Sequence, residues 1–445
     1  MPTLMRHVPI TVLGGRGPHG LALHLWLADR GLEGCCALVD ASPHWLPTYR
    51  DDGPARATRH LRSPRELDFA LGDPGRAMTA WRAAGGERPL ADVYGLDDVD
   101  DPHANASVPA SRRADRRAFW CYADDLARRS GADAHAITAR VLRLERVADG
   151  WTVHLDDGSA FTTRVVLLAS GIVPHLRVPE PWLAWWRHLP PEVAMHALDA
   201  PLERTALHGR RIAVLGSSNA TTWEIACAAA EGGARVTILC RRGATIERQL
   251  PFETAWFRPA FVRRFMAMDA KARLRTLKKT HVPRSTLPGS AARAAALGVR
   301  VLPFARVRYA TPLWGGVQVQ WLQGERETAE RFDAVWASTG AEPRPRALPY
   351  LAGAVGGGRG PVVIGGPARH LPLMDVAGRW KGLPPLYPLG HLALPRFGLA
   401  AQTLASAGQY LPTIMADVLA DAGIDPGRRA LRAAPDALAP LEEAA

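Results

Sequence analysis

The first forty residues carry a glycine-rich loop between a strand and a helix, followed by a second strand that ends in a carboxylate. Apolar residues predict the first strand over 8–13, the helix over 21–30 and a short buried strand over 36–39. Asp40 follows directly after that second strand. This order leaves few folds open, because a strand, a helix and a second strand in succession build a parallel βαβ unit.

The loop has the spacing G-x-G-x-x-G, which suits a bound dinucleotide. We expect Gly15 to permit a tight turn, Gly17 to let a pyrophosphate approach the backbone, and Gly20 to let helix and strand pack closely. The N–H groups of the first helical turn would point at the phosphates, and Asp40 would bind a ribose hydroxyl. The alternative is a plain strand–turn–helix corner. The residues predicted to bind the cofactor here are Gly15, Gly17, Pro18, His19, Gly20 and Asp40.

Length and hydropathy point to a multi-domain protein with a large core. The chain has 445 residues, of which 47% are hydrophobic. No apolar run approaches the roughly 18 residues of a membrane helix, and glycines and charges interrupt the N-terminal apolar segment. We therefore expect a soluble, cytoplasmic protein with no membrane partner. The sequence indicates no particular oligomeric state.

The five cysteines show no C-x-x-C or other ligand spacing. This pattern excludes a redox-active dithiol of the disulfide-reductase kind and predicts no zinc or other metal site. The adjacent Cys35 and Cys36 are interpreted as buried thiols of a strand.

The formal net charge is +12, and arginine supplies most of it. The densest basic run lies at 258–279 and ends in Lys278 and Lys279. A solvated helix face, an anionic substrate or cofactor phosphate, and a nucleic acid would each explain such a run. We favour the solvated face, and nucleic-acid binding is not expected. On charge alone, a basic insert beside the second half of the chain would favour an acidic or phosphorylated substrate.

A second strand–loop–helix unit starts at Arg211. Its loop keeps one glycine, Gly216, in the same G-x-G-x-x-G frame, whereas Ser218 and Thr221 replace the second and third glycines. The predicted strand, loop, helix and next strand cover 212–215, 216–221, 222–231 and 235–240.

Each unit is followed by three predicted strands that form a meander and end in a small-residue turn closed by glycine. Four elements repeated in the same order indicate an internal duplication. The predicted fold class is therefore α/β, with two Rossmann-like three-layer dinucleotide-binding domains that each carry an inserted β-meander. The meander strands are predicted at 141–146, 151–155 and 164–168, and at 306–309, 317–322 and 333–338.

The two units differ in the residues that would face a nucleotide. Asp40 suits a free ribose diol, as in FAD, whereas Arg241 and Arg242 suit a 2′-phosphate, as in NADP. In the second loop, Ser218 and Asn219 would donate hydrogen bonds to phosphate. The alternatives are an ordinary surface pair of arginines and a second unit that survives only as a scaffold.

With these motifs the chain resembles the two-dinucleotide-binding-domain flavoproteins, in the flavin-dependent monooxygenase branch. That branch includes the lysine and ornithine N-hydroxylases and the flavin-containing monooxygenases. The resemblance covers about residues 8–420, and its last element is similar to the family's final FAD-contacting strand. The motifs that carry it are the first loop with Asp40, the turn ending in Gly171, the loop at Gly216, the D-x-V-x-x-A-T-G-like segment ending in Gly340, and the strand before Gly390.

The resemblance implies FAD in the first unit, with NADPH in the second. It implies that NADPH reduces FAD and that a flavin hydroperoxide transfers oxygen to N or S of a small molecule. No acid–base dyad or metal is required, and no catalytic residue is assigned. The chain departs from the family at His391, where an acidic residue is common, and keeps only His196 of the F-x-G-x-x-x-H signature.

The segment 41–117 is expected to cover the flavin and the substrate. Within it, Trp45 would stack on the flavin or belong to the core. Arg62 would donate to the flavin ring or phosphate, or anchor a loop. Three further tryptophans are expected between the domains, as packing or as a substrate wall, at Trp182, Trp185 and Trp186.

The predicted division places two parts of one FAD-binding domain on either side of an NAD(P)-binding-like domain. Two other functions stay open. One is an FAD-dependent oxidase or dehydrogenase that does not use NADPH, and the other is a non-catalytic or RNA-associated flavoprotein. The domain ranges are 1–195 and 341–425 for FAD binding, 196–340 for NAD(P) binding with a basic helical insert near 255–295, and 426–445 for a flexible tail.

Overall fold

The computed structural model describes most of the chain, in several segments. Ser218, Asn219 and the expected tail at 426–445 lie outside the described residues. The described residues are 7–58, 60–64, 69, 71, 73–86, 113–200, 202–216, 220–243, 246–247, 252, 256, 259–281, 285–342, 344–355, 374–403, 407 and 410–425.

Both halves of the chain contain strands and α-helices, and successive strands form the meanders. The strands are β1 (His7–Leu13), β2 (Cys36–Asp40), β3 (His60–Pro64), β4 (Arg113–Asp115), β5 (Ala136–Thr138), β6 (Val141–Val147), β7 (Gly150–Leu155), β8 (Ala160–Leu168), β9 (Ala194–His196), β10 (Arg211–Leu215), β11 (Arg235–Leu239), β12 (Ile246–Glu247), β13 (Ser285–Thr286), β14 (Arg300–Leu302), β15 (Ala305–Leu313), β16 (Gly316–Gln323), β17 (Arg326–Phe332), β18 (Ala334–Ala337) and β19 (Leu386–Pro388). The helices are α1 (Pro18–Ala28), α2 (Met78–Ala83), α3 (Arg116–Arg129), α4 (Glu180–Trp186), α5 (Arg204–Leu207), α6 (Ala220–Glu231), α7 (Pro259–Ala267), α8 (Ala270–Thr280), α9 (Ser290–Ala296), α10 (Ala352–Val355), α11 (Leu394–Phe397) and α12 (Leu411–Asp421).

Two parallel sheets with the same strand order confirm the predicted fold class. The first sheet has the core order β5–β2–β1–β8–β19, and the second has β14–β11–β10–β18–β9. All of these neighbours pair in parallel. The core strands are apolar and buried almost throughout, as expected when both faces of a parallel sheet are covered. The internal duplication is therefore present in the topology.

Each core carries an antiparallel meander, but the two meanders are joined to it differently. In the first unit β8 is both the last meander strand and a core strand. In the second unit the meander is β15–β16–β17, and Asp333 separates it from β18. The prediction missed β17 because its side chains are mostly polar and exposed, so it has no buried apolar face to produce an alternating pattern.

The second sheet begins upstream of the predicted domain boundary. β9 pairs with β18, so the boundary at 195 falls inside a strand of the second sheet. The three tryptophans of α4 also pack on the apolar cluster of the second unit, which includes Val319 and Trp321. They therefore contact the second unit, and their placement between the two domains, as packing or as a substrate wall, stays a prediction.

The basic insert packs on the C-terminal part of the first unit. The Trp256 ring lies against Gly398, where an added Cβ would come within 1.8 Å of it. Phe265 and Leu277 share an apolar cluster with Leu399. Arg396 donates to the carbonyl oxygen of Met266. The insert thus joins helices α7 and α8 to α11 of the first unit, whereas the sequence analysis expected it beside the second half of the chain.

All five cysteines are free. Cys36 is buried in β2, but Cys35, which was also expected to be buried, is half-exposed in the turn before the strand. Among the described residues no group of three or more His, Cys, Asp or Glu side chains is placed to hold a metal ion. None of the described helices is long and apolar enough to cross a membrane.

Candidate nucleotide-binding site

The first glycine-rich loop is held against two strands by close backbone contacts. A Cβ on Gly15 would lie 2.7 Å from the Leu38 Cα, and one on Gly20 would lie 1.9 Å from the Gly15 carbonyl oxygen. The positive φ that a tight turn needs, +77°, is at Gly14. A Cβ on Gly14 would meet the Ala169 carbonyl oxygen at 2.5 Å. Gly14 therefore makes the turn assigned to Gly15, whose own role is the close approach to β2.

Gly17 faces more open space than the other glycines of the loop. A Cβ there would meet the Gly14 carbonyl oxygen at 3.2 Å and no other atom of the described residues closer than 3.9 Å. Gly17 is the N-cap of α1, Pro18 opens the helix, and no side chain of the described residues caps its first turn. His19 follows in that turn. An uncapped helix N-terminus beside open space is a ready site for a diphosphate.

Asp40 ends β2 with its carboxylate held next to the loop. It accepts hydrogen bonds from the backbone N–H groups of Ser42 (2.9 Å) and Arg16 (3.2 Å). Burial raises the pKa of Asp40, whereas these two hydrogen bonds and the Arg16 charge oppose the rise. The carboxylate is thus fixed and adjacent to the phosphate loop, as ribose recognition requires.

The Arg16 side chain holds the loop in place through contacts that the sequence did not predict. Its guanidinium, only 8% exposed, donates to Asp133 (2.9 Å) and Thr138 (3.3 Å). It also lies 5.5 Å from the ring centroid of Trp45. Trp45 is 3% exposed and donates its indole N–H to Asp133. Trp45 therefore supports the loop from within the core, which was one of its two predicted roles.

The turns after β8 and β19 continue this edge of the sheet. Gly171 closes the turn after β8 with a φ of +67°, and Gly390 follows β19 with a φ of +61°. The Gly390 N–H donates to the Tyr410 hydroxyl at 2.9 Å. The strand order places Asp40, the glycine loop, Gly171 and Gly390 in succession along the carboxyl edge.

Three histidines lie along the same edge with lowered pKa values. Burial lowers the pKa of His19 and of His175 to about 4. Burial, with the charges of those two histidines, lowers the pKa of His391 to about 3. All three are therefore neutral at pH 7. His391 stands where related flavoproteins commonly have an acidic residue. The site therefore has a neutral imidazole instead of a carboxylate after Gly390.

Gly216 of the second loop occupies the position of Gly14, not that of Gly15. Its φ is +124°, and a Cβ on it would lie 2.4 Å from the Ser338 carbonyl oxygen, as Gly14 does with Ala169. Four residues then precede the helix in both loops, 14–17 and 216–219. By position Asn219, rather than Ser218, corresponds to Gly17, so the predicted frame is shifted by one residue.

The other residues predicted for the second nucleotide take up mixed positions. Arg241 and Arg242 follow β11 at its carboxyl end and are exposed. Gly340, with a φ of +75°, ends the turn after β18. Arg62 donates to the carbonyl and hydroxyl oxygens of Ser285, at 3.4 and 3.3 Å, so it anchors β3 to β13. This is the loop-anchoring alternative, and it places Arg62 in a contact between the two units.

A pocket of about 550 Å³ opens at the carboxyl end of β9. It is lined by Arg177, Trp186, His196 and Asp199, among others. His196 accepts the Leu198 N–H at Nδ1, and burial lowers its pKa. The Arg177 backbone N–H donates to the Gly340 carbonyl oxygen. The pocket therefore adjoins the turn that ends β18.

Comparison with known proteins agrees with this geometry. Residues 12–173 match a family model described as FAD-NAD(P)-binding. This stretch contains the first glycine loop, Asp40 and Gly171, and it forms an FAD/NAD(P)-binding domain. No match was found among curated proteins.

Solved structures match nearly the whole chain. An ornithine hydroxylase from Pseudomonas aeruginosa aligns over 94% of this chain and 100% of its own, at 17% identity and a TM-score of 0.70. An L-lysine 6-monooxygenase from Pseudomonas syringae aligns over 93% and 100%, at 17% identity and a TM-score of 0.69. The chain has the fold of these enzymes. An ornithine N-hydroxylase from Kutzneria sp. 744, solved with reduced FAD, NADP⁺ and L-ornithine, aligns over 93% and 99%, at 15% identity and a TM-score of 0.69.

The described residues fit an FAD molecule in the first unit. Asp40 would hold the adenosine ribose, and Gly17 with the N-terminus of α1 would hold the diphosphate. The open space at Gly17 is a cradle that a larger side chain would fill. The flavin half would then extend over the turns that follow β8 and β19.

Proposed function

We propose that the protein is an FAD-dependent monooxygenase that uses NADPH and O₂ to oxygenate a nitrogen or sulfur atom of a small molecule. The observation that carries the proposal is the fold shared, over more than nine-tenths of both chains, with hydroxylases that include one solved with FAD and NADP⁺. The intact first loop with Asp40 supports FAD binding there. When bound, FAD supplies the redox and oxygen-activating chemistry.

Several site residues remain part of the proposal. Arg241 and Arg242 would hold the 2′-phosphate of NADPH, since a guanidinium pairs well with phosphate. Ser218 and Asn219 would donate to its diphosphate, whereas Gly216 and Gly340 let the backbone turn beside it. The protein residues would bind and orient both nucleotides and exclude water from the flavin.

The substrate proposal is a small molecule with a nucleophilic amine or thioether. Two of the structures named above are an ornithine hydroxylase and an L-lysine 6-monooxygenase. We infer an amine as the first class to test in this chain. His196 and the adjoining pocket are proposed as part of the wall near the second nucleotide, without a catalytic role.

The test is a product assay with isotopically heavy O₂. The protein is incubated with NADPH and a panel of diamines, basic amino acids and thioethers, and the products are measured by mass spectrometry. We expect one labelled oxygen atom in the product and NADPH consumption that the substrate accelerates. Hydrogen peroxide without a labelled product, from every member of the panel, would contradict the proposal.

A second candidate is an FAD-dependent oxidase or dehydrogenase that does not use NADPH. One observation favours it: at the end of the second loop, where the first has Gly20, the corresponding Thr222 is buried and bonded to Ser338 at 2.8 Å. The second unit would then be a scaffold. Flavin reduction by the substrate alone, with no reduction by NADPH, would favour this candidate.

A further inference from the structure

Along the carboxyl edge of the first sheet, each strand end corresponds to one part of the dinucleotide. The order β2–β1–β8–β19 follows from the pairing, and neighbouring strands lie about 4.8 Å apart. Asp40 therefore marks the adenosine end and Gly17 the diphosphate. The turns beyond β8 and β19 are left for the flavin half. This assignment rests on the proposed FAD site.

His175 lies just beyond Gly171, in the turn Val173–His175. It is 2% exposed. Its backbone carbonyl accepts the Glu342 N–H at 2.8 Å, and Leu176 forms a bridge with Ala341. The segment is thus fixed between the end of β8 and the end of β18. The charge of His175 also lowers the pKa of His391, which follows Gly390.

Within the described part of the chain, one ring nitrogen of His175 has a hydrogen-bond partner and the other does not. Nδ1 accepts the backbone N–H of Arg344 at 3.3 Å. A neutral imidazole that accepts at Nδ1 carries its proton on Nε2. The Nε2 atom is buried and has no hydrogen-bond partner among the residues that the structure describes. A buried donor left without a partner is rare in folded proteins and costs free energy, so its retention points to a ligand.

We propose that the His175 Nε2–H donates a hydrogen bond to the flavin half of bound FAD. The Arg344 N–H holds the ring in the required tautomer. Acceptors on the flavin half are the ring carbonyl oxygens, the ring nitrogens and the ribityl hydroxyls. His175 is thereby a cofactor-positioning residue at the junction of the two units, and it does not touch the adenosine end at Asp40.

The test compares FAD with ADP, which has the adenosine and diphosphate but no flavin half. His175→Asn keeps a side-chain oxygen for the Arg344 N–H but lacks a donor at the Nε2 position. We expect it to weaken FAD binding by about three- to tenfold, the value of one hydrogen bond, and to leave ADP binding unchanged. His175→Gln, whose amide reaches the Nε2 position, should restore most of the FAD affinity.

Two further variants serve as controls for the affinity measurement. Asp40→Asn should weaken FAD and ADP alike, because both contain the ribose. His24→Asn changes another buried histidine, whose ring bonds Ser130, and should leave the ratio of FAD to ADP affinity unchanged. Equal loss for both ligands in His175→Asn, or no loss for either, would overturn the inference.

A measurement on the unmutated protein covers the case in which the variant fails to fold. With histidine labelled by nitrogen-15, FAD should shift the His175 Nε2–H resonance and ADP should not. A resonance unmoved by FAD would overturn the inference. If the unmutated protein binds ADP but no FAD, the proposed function itself fails, and this outcome is distinct from the failure of His175 as a donor.

Discussion

Gly17 and Gly20 are three residues apart, yet an added side chain should affect them in different ways. Gly17→Val should abolish FAD retention while the apoprotein still folds, because the new atoms enter the nucleotide's space and φ, at −78°, is ordinary. Gly20→Ala should unfold or strongly destabilise the protein, because its Cβ would overlap the Gly15 carbonyl oxygen. Flavin absorbance and thermal unfolding of the two variants measure both effects. A flavin-loaded Gly17→Val protein would contradict the site.

Arg241 and Arg242 provide a test of the second nucleotide. Both are exposed after β11, and a guanidinium loses charge-assisted hydrogen bonds when it is truncated. The double change to alanine should raise the KM for NADPH by roughly tenfold or more and leave the KM for NADH unchanged. Steady-state NADPH and NADH oxidation measure this. Equal effects on both would show that the arginines do not hold a 2′-phosphate.

His175 also predicts a pH dependence of stability in the apoprotein. Its folded pKa of about 4 lies below the ordinary 6.5, because burial disfavours the charged form. At this residue the unfolded chain therefore binds up to one more proton than the folded protein between pH 6.5 and 4, and this contribution to stability falls as the pH falls through that window. His175→Asn should flatten the slope of unfolding free energy against pH by about one proton there. Denaturant unfolding at pH 4.5 to 7 measures the slope, and an unchanged slope would contradict the burial of this histidine.

The sequence could predict those residues of the site whose roles depend on near neighbours. Asp40 and the glycines are set by one βαβ unit, so their spacing is enough to locate them. Arg16 and His175 depend on partners more than one hundred residues away, Asp133 and Arg344. No local sequence pattern predicts such contacts. From sequence alone, an arginine inside a glycine loop is expected to be exposed, whereas in the structure Arg16 is buried against Asp133.

At the scale of elements, buried strands were predictable and polar ones were not. β1, β2, β10 and β11 match their predicted positions to within a residue or two because burial on both faces makes them continuously apolar. β17 was missed for the opposite reason. The motif in the second loop was counted from Gly216 as the equivalent of Gly15. The Gly216 N–H bonds to the Leu239 carbonyl oxygen as the Gly14 N–H bonds to that of Val39, so Gly216 corresponds to Gly14 and the predicted frame is off by one residue.

The basic helix α8 carries a prediction at this scale. Lys278 and Lys279 are exposed in its last turn, where positive charge is favourable to the helix dipole. Lys278→Glu with Lys279→Glu should therefore cost about 1 to 3 kcal/mol of stability, because each reversal removes a favourable charge and adds an unfavourable one, with FAD loading and NADPH saturation unchanged. Thermal unfolding and steady-state kinetics test this. A raised KM for NADPH or for the substrate would instead support an anionic ligand at the insert.

At the scale of the whole molecule, the duplication was visible in the sequence, but the distant strands that complete each sheet were not. β19 returns from more than two hundred residues downstream to pair with β8. β9, which contains the expected boundary, pairs with β18 more than one hundred residues downstream. The insert joins the two units through Trp256 and Gly398. These are long-range pairings, and a repeat pattern predicts that a strand is present without predicting which distant segment supplies it.

The central claim is that one chain binds FAD in its first unit and passes electrons to it from NADPH in its second. The most direct measurement is the absorbance spectrum of the purified protein without oxygen, before and after NADPH, and again after admitting air. We expect an oxidised flavin spectrum that NADPH bleaches and air restores. A protein without flavin absorbance after FAD reconstitution, or a bound flavin that NADPH does not bleach, would contradict the account.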